Sequence, residues 1–261
     1  MKNIRRFAYA YVKSMRLYYA FITGIAGWIG VSFYRFCMPG EFDHYRGALI
    51  LVMLFLSWGI NQIINDYLGL PEDRINAPNR PMVTGELNPG WAMATSVVIL
   101  FLVTVISFLL NPWAVIPVIA GVLLNVLYEY AKAWSLIGNV VFGFSIAMCT
   151  AYGFVASGPL PDPVFTSNRV SAFLLVALLN GVMTYYTYFK DYAGDAAAGK
   201  RTFVVKYGLR VSRYAGLIGA LLPTFVFFFF HYMGWLPMDD ILFRRDFVFC
   251  GVVTVFLQIW T

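Results

Sequence analysis

Eight stretches of this 261-residue chain are apolar over much of a bilayer's thickness: 17–34, 47–69, 90–110, 112–131, 136–157, 170–189, 212–235 and 246–261. The hydrocarbon core is about 30 Å thick, and a helix needs about 20 mainly apolar residues to cross it. Only helices and closed barrels satisfy their own backbone in lipid, and runs of this length are helical. Charge is correspondingly scarce: 12% of residues, against 60% hydrophobic, where a soluble domain carries about a quarter charged. That balance excludes a disordered chain, a secreted disulfide scaffold and a nucleic-acid binder. The three cysteines, Cys37, Cys149 and Cys250, lie far apart in apolar surroundings and read as small hydrophobes rather than metal ligands. The expectation is an all-α, polytopic transmembrane helical bundle, an integral membrane protein whose first partner is the lipid bilayer.

Two local features refine the layout. Asn111-Pro112 interrupts an otherwise continuous apolar stretch and predicts a tight turn between the third and fourth spans. The first run is too long for a signal-peptide core and has no convincing cleavage site, so it is expected to stay as a span. The last run is short and has no polar flank before Thr261. It reads as a half-inserted helix or as the start of a longer one.

The net charge of +6 sets orientation rather than a nucleic-acid partner. With the amino terminus inside, fourteen Lys and Arg fall on the inner face: Lys2, Arg5, Arg6, Lys13, Arg16, Arg74, Arg80, Lys132, Lys190, Lys200, Arg201, Lys206, Arg210 and Arg213. Five fall outside, Arg35, Arg46, Arg169, Arg244 and Arg245. The bias predicts a cytoplasmic amino terminus. Over residues 1–16, Ile4, Phe7, Ala8, Tyr11, Val12 and Met15 recur at helical spacing against Lys2, Arg5, Arg6 and Lys13. That pattern predicts an amphipathic helix lying in the membrane interface.

Six of the thirteen acidic residues fall in two inner-face segments, 65–86 and 190–202. Ser57, Asn61 and Asn65, spaced by four, make a polar stripe that ends at Asp66. Asp73 lies seven residues further on, on the same side if the helix persists, and Pro71 predicts a break near Tyr67. In the second segment Asp191 and Asp195 are one turn apart, and Asn180, Thr184, Thr187 and Tyr188 carry the same face back into the sixth span. Like charges this close require a cation between them. Oxygen ligands without His or Cys favour Mg²⁺, which takes a few carboxylates plus substrate phosphates. Arg74, Arg80, Lys132, Lys200 and Arg201 interleave with these acids, as an anionic phosphate ligand requires. Acid–base pairing alone could account for an isolated pair. Two aspartate clusters on one side of a bundle, each continuing an intramembrane polar stripe, point instead to a metal–diphosphate site.

These strings resemble the UbiA-type family of intramembrane prenyltransferases, whose two motifs read broadly N-D-x-x-D-x-x-x-D and D-x-x-x-D. Asn65, Asp66 and Asp73 match the first motif, followed by Ile75-Asn76, Asn79-Arg80-Pro81 and Thr84-Gly85; Asp191, Gly194, Asp195, Gly199, Lys200, Arg201 and Thr202 match an extended second motif. Tyr128, Lys132 and Asn139 look like the family's stretch between helices four and five. The resemblance spans most of the chain and implies one domain over 1–261, with nine spans around an apolar tunnel and a polar site on the cytoplasmic side. It implies Asn65, Asp66, Asp73, Asp191 and Asp195 as holders of two Mg²⁺ ions, with Arg74, Arg80, Tyr128, Lys132, Asn139, Tyr188, Lys200 and Arg201 binding substrate. The substrate it implies is a polyprenyl diphosphate that ionises to an allylic cation captured by a lipophilic acceptor, aromatic or lipid. One position departs: Gly69 stands where the first motif has its middle aspartate, and Asp66, Glu72 and Asp73 are near enough to compensate.

Two other functions stay open at this point. A terpene cyclase on the same fold ionises the same diphosphate but uses no acceptor. A transporter or lipid-binding protein would line a pathway with polar stripes, although such sites lie near the midplane and here the charges gather at one face. Rings such as Tyr185, Tyr186, Tyr188 and Phe189 could shield a cation, but packing and interface anchoring use the same residues.

Overall fold

The structure, a computed structural model, describes residues 2–38, 40, 43–236, 249 and 252–253. Among them every regular element is a helix: α1 (Lys2–Met15), α2 (Phe21–Cys37), α3 (His44–Leu68), α4 (Leu70–Asn76), α5 (Pro81–Thr84), α6 (Pro89–Leu110), α7 (Val115–Ala131), α8 (Ile137–Ala156), α9 (Ser167–Lys190), α10 (Tyr192–Ala197) and α11 (Phe203–Tyr232). Six helices are long and apolar enough to cross a membrane, or seven if Ile4–Tyr19 and Phe21–Cys37, bent by 56° relative to each other, count as one broken span. The first seven expected runs each fall on a helix. The eighth, 246–261, lies outside the described residues, so the nine-span expectation extends beyond them. Cys149 is buried and Cys37 only half-buried.

Helix ends follow local chemistry. Asp43, Asn88, Thr166 and Thr202 each accept a first-turn amide with the side chain, and Pro89 follows Asn88 at N1. At the Asn111-Pro112 turn, the Asn111 carbonyl oxygen of the side chain accepts from the Trp113 amide at 3.0 Å. Its amide group donates to Val155 O and Gly158 O at 2.9 and 2.7 Å, so this polar side chain is fully used. The first-motif helix does break, at Gly69 rather than near Tyr67. Gly69 N closes α3 on Asn65 O at 2.8 Å, and Pro71 then sits in the first turn of α4, where its missing N–H costs nothing.

Lipid offers no hydrophobic drive for helix association, so close approach must come from small residues. The central helix α8 supplies them. A Cβ on Gly153 would stand 2.0 Å from Gly27 O of α2, and one on Gly143 would stand 2.1 Å from Ala177 O of α9. Thr150 Oγ1 adds a 2.7 Å bond to Ala26 O. On the far side, Tyr185 and Tyr186 donate to Ser212 O and Gly216 O at 2.7 and 2.6 Å, tying α9 to α11. These two rings therefore lock helices together.

α1 is more embedded than an interfacial helix needs to be. Ala10, Tyr11 and Met15 are buried against Ile63, Met82, Leu87 and Ala92, and Tyr11 Oη bonds Ser96 Oγ at 2.8 Å. Ile4, Ala8 and Val12, expected on the same apolar stripe, are exposed on a flank of the helix.

Candidate active site

The carboxyl-terminal ends of α3, α7 and α9 lie at one end of the bundle, and the short helices α4 and α10 fold across it. Between them opens a cavity of about 330 Å³ lined by both aspartate clusters. Its rim is charged, with Asp66, Glu72, Asp73, Asp191 and Asp195 facing Arg16, Arg80, Lys132 and Lys200; Ile22, Trp58, Phe142 and Met183 make its apolar wall.

Asn76 joins the two clusters. Its side-chain amide donates to Asp191 O at 3.0 Å, and its carbonyl oxygen accepts from Gly194 N at 2.8 Å. Gly194 is required for that contact, because a Cβ there would stand 2.3 Å from Asn76 Nδ2. Asn65 is anchored from α7, where Asn125 Nδ2 donates to its Oδ1 at 2.9 Å.

The acids are held by bases. Arg16 meets Asp66 at 2.5 Å and Arg80 meets it at 2.9 Å, while Arg80 also grips Asp73. Lys132 binds Glu129 at 2.7 Å, and Lys200 binds Glu72 at 2.7 Å with Glu129 at 3.6 Å. Burial pushes Asp73 up to about 6, in spite of Arg80 beside it. Burial likewise pushes Asp195 up to about 6, and raises Asp191. Glu72 moves the other way: burial raises it, but the Lys200 hydrogen bond and charge outweigh burial and leave it low.

Of the residues singled out in the sequence, Asn65, Asp66, Asp73, Arg80, Tyr128, Lys132, Asp191, Asp195 and Lys200 line this cavity. Tyr188 is almost wholly buried and interacts with Tyr128. Three are not brought in. Arg74 and Arg201 are exposed. Asn139 is buried but faces a separate apolar pocket between α8, α9 and α11. Among the cavity residues without a site role in the sequence reading, two carry charge into its centre, Arg16 and Glu129. Arg16, with a left-handed backbone (φ 48, ψ 48), carries its guanidinium to Asp66. Glu129 is a buried acid inside an apolar helix, itself a signal of function.

Mg²⁺ can be tested against this donor set. Among the described residues no three acid, His or Cys side chains converge as a ready-made cage, and Asp66, Glu72, Asp73 and Glu129 are engaged by Arg or Lys. The donors are nonetheless all oxygen. Asp195 Oδ2 and Glu72 Oε2 are buried without a hydrogen-bond partner, a costly state that a bound cation relieves. The residues fit the ion.

Comparison with known proteins agrees with the geometry. Residues 20–239 match the UbiA prenyltransferase family. The digeranylgeranylglyceryl phosphate synthase of Methanospirillum hungatei is 28% identical over 216 residues, 81% of this chain and 73% of that protein. The synthase of the same name from Sulfurisphaera tokodaii is 30% identical over 210 residues, 75% of this chain and 72% of that one. Among solved structures, a UbiA homologue from Aeropyrum pernix superposes with a TM-score of 0.76 at 16% identity, covering 94% of this chain and 88% of its own. A UbiA homologue from Archaeoglobus fulgidus bound to GPP and Mg²⁺ gives 0.66 at 15% identity, with 96% and 84% covered. The chain is a multi-pass membrane prenyltransferase and belongs to the UbiA prenyltransferase family.

Proposed function

We propose that this enzyme transfers a geranylgeranyl group from its diphosphate to the free hydroxyl of a glyceryl phosphate that already carries one such group, with Mg²⁺ as cofactor. The observation that carries the reading is a single cavity in which two acid clusters and Arg80, Lys132 and Lys200 adjoin an apolar wall. The acceptor class follows the relatives named digeranylgeranylglyceryl phosphate synthase; nothing among them favours a cyclase.

Asn65, Asp66, Asp73, Asp191 and Asp195 would hold two Mg²⁺ ions, which neutralise charge on the departing diphosphate when bound. Arg80, Lys132 and Lys200 bind its oxygens as point charges and forks. Arg74 and Arg201, exposed at the same end, add long-range positive potential at the mouth. The allylic C–O bond breaks with its electron pair leaving on diphosphate. The rings of Tyr128, Phe142 and Trp58 face the cavity, where ring quadrupoles favour a carbocation. The acceptor hydroxyl then forms the new C–O bond and passes its proton to the released diphosphate. The amino terminus and the site face the cytoplasm, as the positive-inside bias implies.

The test is purified protein with Mg²⁺, geranylgeranyl diphosphate and geranylgeranylglyceryl phosphate. The expected product by mass spectrometry is digeranylgeranylglyceryl phosphate with one diphosphate released per turnover. A cyclic hydrocarbon formed without acceptor would replace this reading with a cyclase.

A pH dependence follows from burial of Asp73 and Asp195. Both favour the neutral form until about pH 6, and protons compete with Mg²⁺ for the same oxygens. The Mg²⁺ concentration for half-maximal diphosphate release is expected to rise steeply as pH falls through 6. A requirement unchanged down to pH 4.5 would count against these two aspartates as ligands.

A further inference from the structure

Glu129 is the single acid of α7, and it sits in that helix's last turn. An acid there opposes the negative end of the helix dipole, and this one is also 95% buried, with 5% of its surface exposed. A position that violates two local rules at once signals a functional demand. Both carboxylate oxygens are held by Lys132, at 2.7 and 2.9 Å, and Lys200 stands 3.6 Å from Oε2. Those are the two lysines assigned above to the diphosphate.

The space around Gly69 gives the carboxylate its second meaning. A Cβ at Gly69 would lie 3.6 Å from Glu129 Oε2 and 3.8 Å from Glu72 Oε2. A side chain at position 69 would thus stand in van der Waals contact with the Glu129 carboxylate. In the same cavity Asp195, 4% exposed, keeps Oδ2 without a partner, which itself points to a cation.

We propose that Glu129 supplies, from α7, the metal-holding carboxylate that position 69 lacks. Resting on the function proposed above, the inference has the diphosphate draw Lys132 and Lys200 away, so that the freed Glu129 carboxylate faces the ion held by Asp66 and Asp73. Each charge exchanges one partner for another, and no buried group is left bare.

The experiment is Mn²⁺ binding to detergent-purified protein, read by electron paramagnetic resonance with inorganic pyrophosphate present. Glu129→Gln is expected to weaken Mn²⁺ binding at least about tenfold, in the range seen when groups supporting a metal are lost. Gly69→Asp combined with Glu129→Gln is expected to recover most of it, which a role confined to positioning the lysines would not give. Unchanged Mn²⁺ affinity in Glu129→Gln, or no recovery in the double variant, overturns the proposal. Should Glu129→Gln fail to fold, Glu129→Asp keeps the charge but withdraws it by one methylene, and wild-type affinity there overturns it equally. Asp191→Asn separates the levels: loss of Mn²⁺ in that variant alone rejects Glu129 while leaving the enzyme reading intact. Absence of binding in the unmodified protein rejects both.

Discussion

Asp195→Asn protein is expected to release diphosphate from geranylgeranyl diphosphate on the order of a thousandfold more slowly than the unmodified enzyme, as when a group stabilising transition-state charge is removed. It is also expected to be the more stable of the two in the presence of a chelator. The two effects share one cause. Asp195 is buried with one oxygen unpartnered, so its ionised form suits a bound cation and little else. Its acidity is displaced from 3.8 to about 6, so folding opposes ionisation. The resulting penalty is absent below pH 3.8, grows between that value and about 6, and is complete above it. Asparagine keeps the shape and never ionises. The gap in thermal midpoint between variant and parent should therefore open as pH rises through this window. Full activity in Asp195→Asn, or a variant less stable at neutral pH, would remove Asp195 from the metal site.

The second large effect concerns Arg80, which spans the two aspartates of the first cluster, 2.9 Å from Asp66 and in contact with Asp73. Without Arg80, Asp66 keeps Arg16 but Asp73 loses its ion-pair partner, and stranding a largely buried charge costs roughly 3 kcal/mol. Arg80→Met is thus expected to lower the unfolding midpoint by roughly 10 °C and to abolish turnover. Mg²⁺ with pyrophosphate should return part of the lost stability, because the ion takes over the charge that Arg80 balanced. Arg74→Met is the control: Arg74 is exposed and outside the cavity lining, and its midpoint should not move. Equal losses in the two variants would make Arg80 an ordinary structural arginine.

Much of this was legible in the sequence because lipid simplifies the code. Length and apolarity place α3, α6, α7, α8, α9 and α11, and Asn111-Pro112 places the turn between two of them. The aspartate spacing gave the site its acids and bases as far as they lie in contiguous motifs. What escaped depends on helices crossing. Glu129 reads as one acid in an apolar run, and only the packing of α7 against the α3–α4 break brings it to Gly69. Arg16 counts in sequence as one more inner-face charge, and its left-handed backbone is not written in its neighbours. Asn139 matches a motif by position, yet its place on α8 turns it toward α9 and a different pocket. Spacing along a chain reports neighbours on one helix and is silent about the facing helix.

The docking of α1 has a consequence for how the protein is made. Its apolar face rests on Ile63, Met82, Leu87 and Ala92, and Arg16 just beyond it closes on Asp66. None of these partners has been synthesised when the first helix leaves the ribosome. Chains emerge at about 5–20 residues per second and domains assemble as they appear, so α1 waits several seconds for its seat. During that interval its basic and apolar residues suit the membrane surface. The exposed flank of Ile4, Ala8 and Val12 is suited to that temporary berth, and the seat is complete only when α6 has followed α3. The same short helix is thus expected to moor the nascent chain before it packs onto the finished bundle.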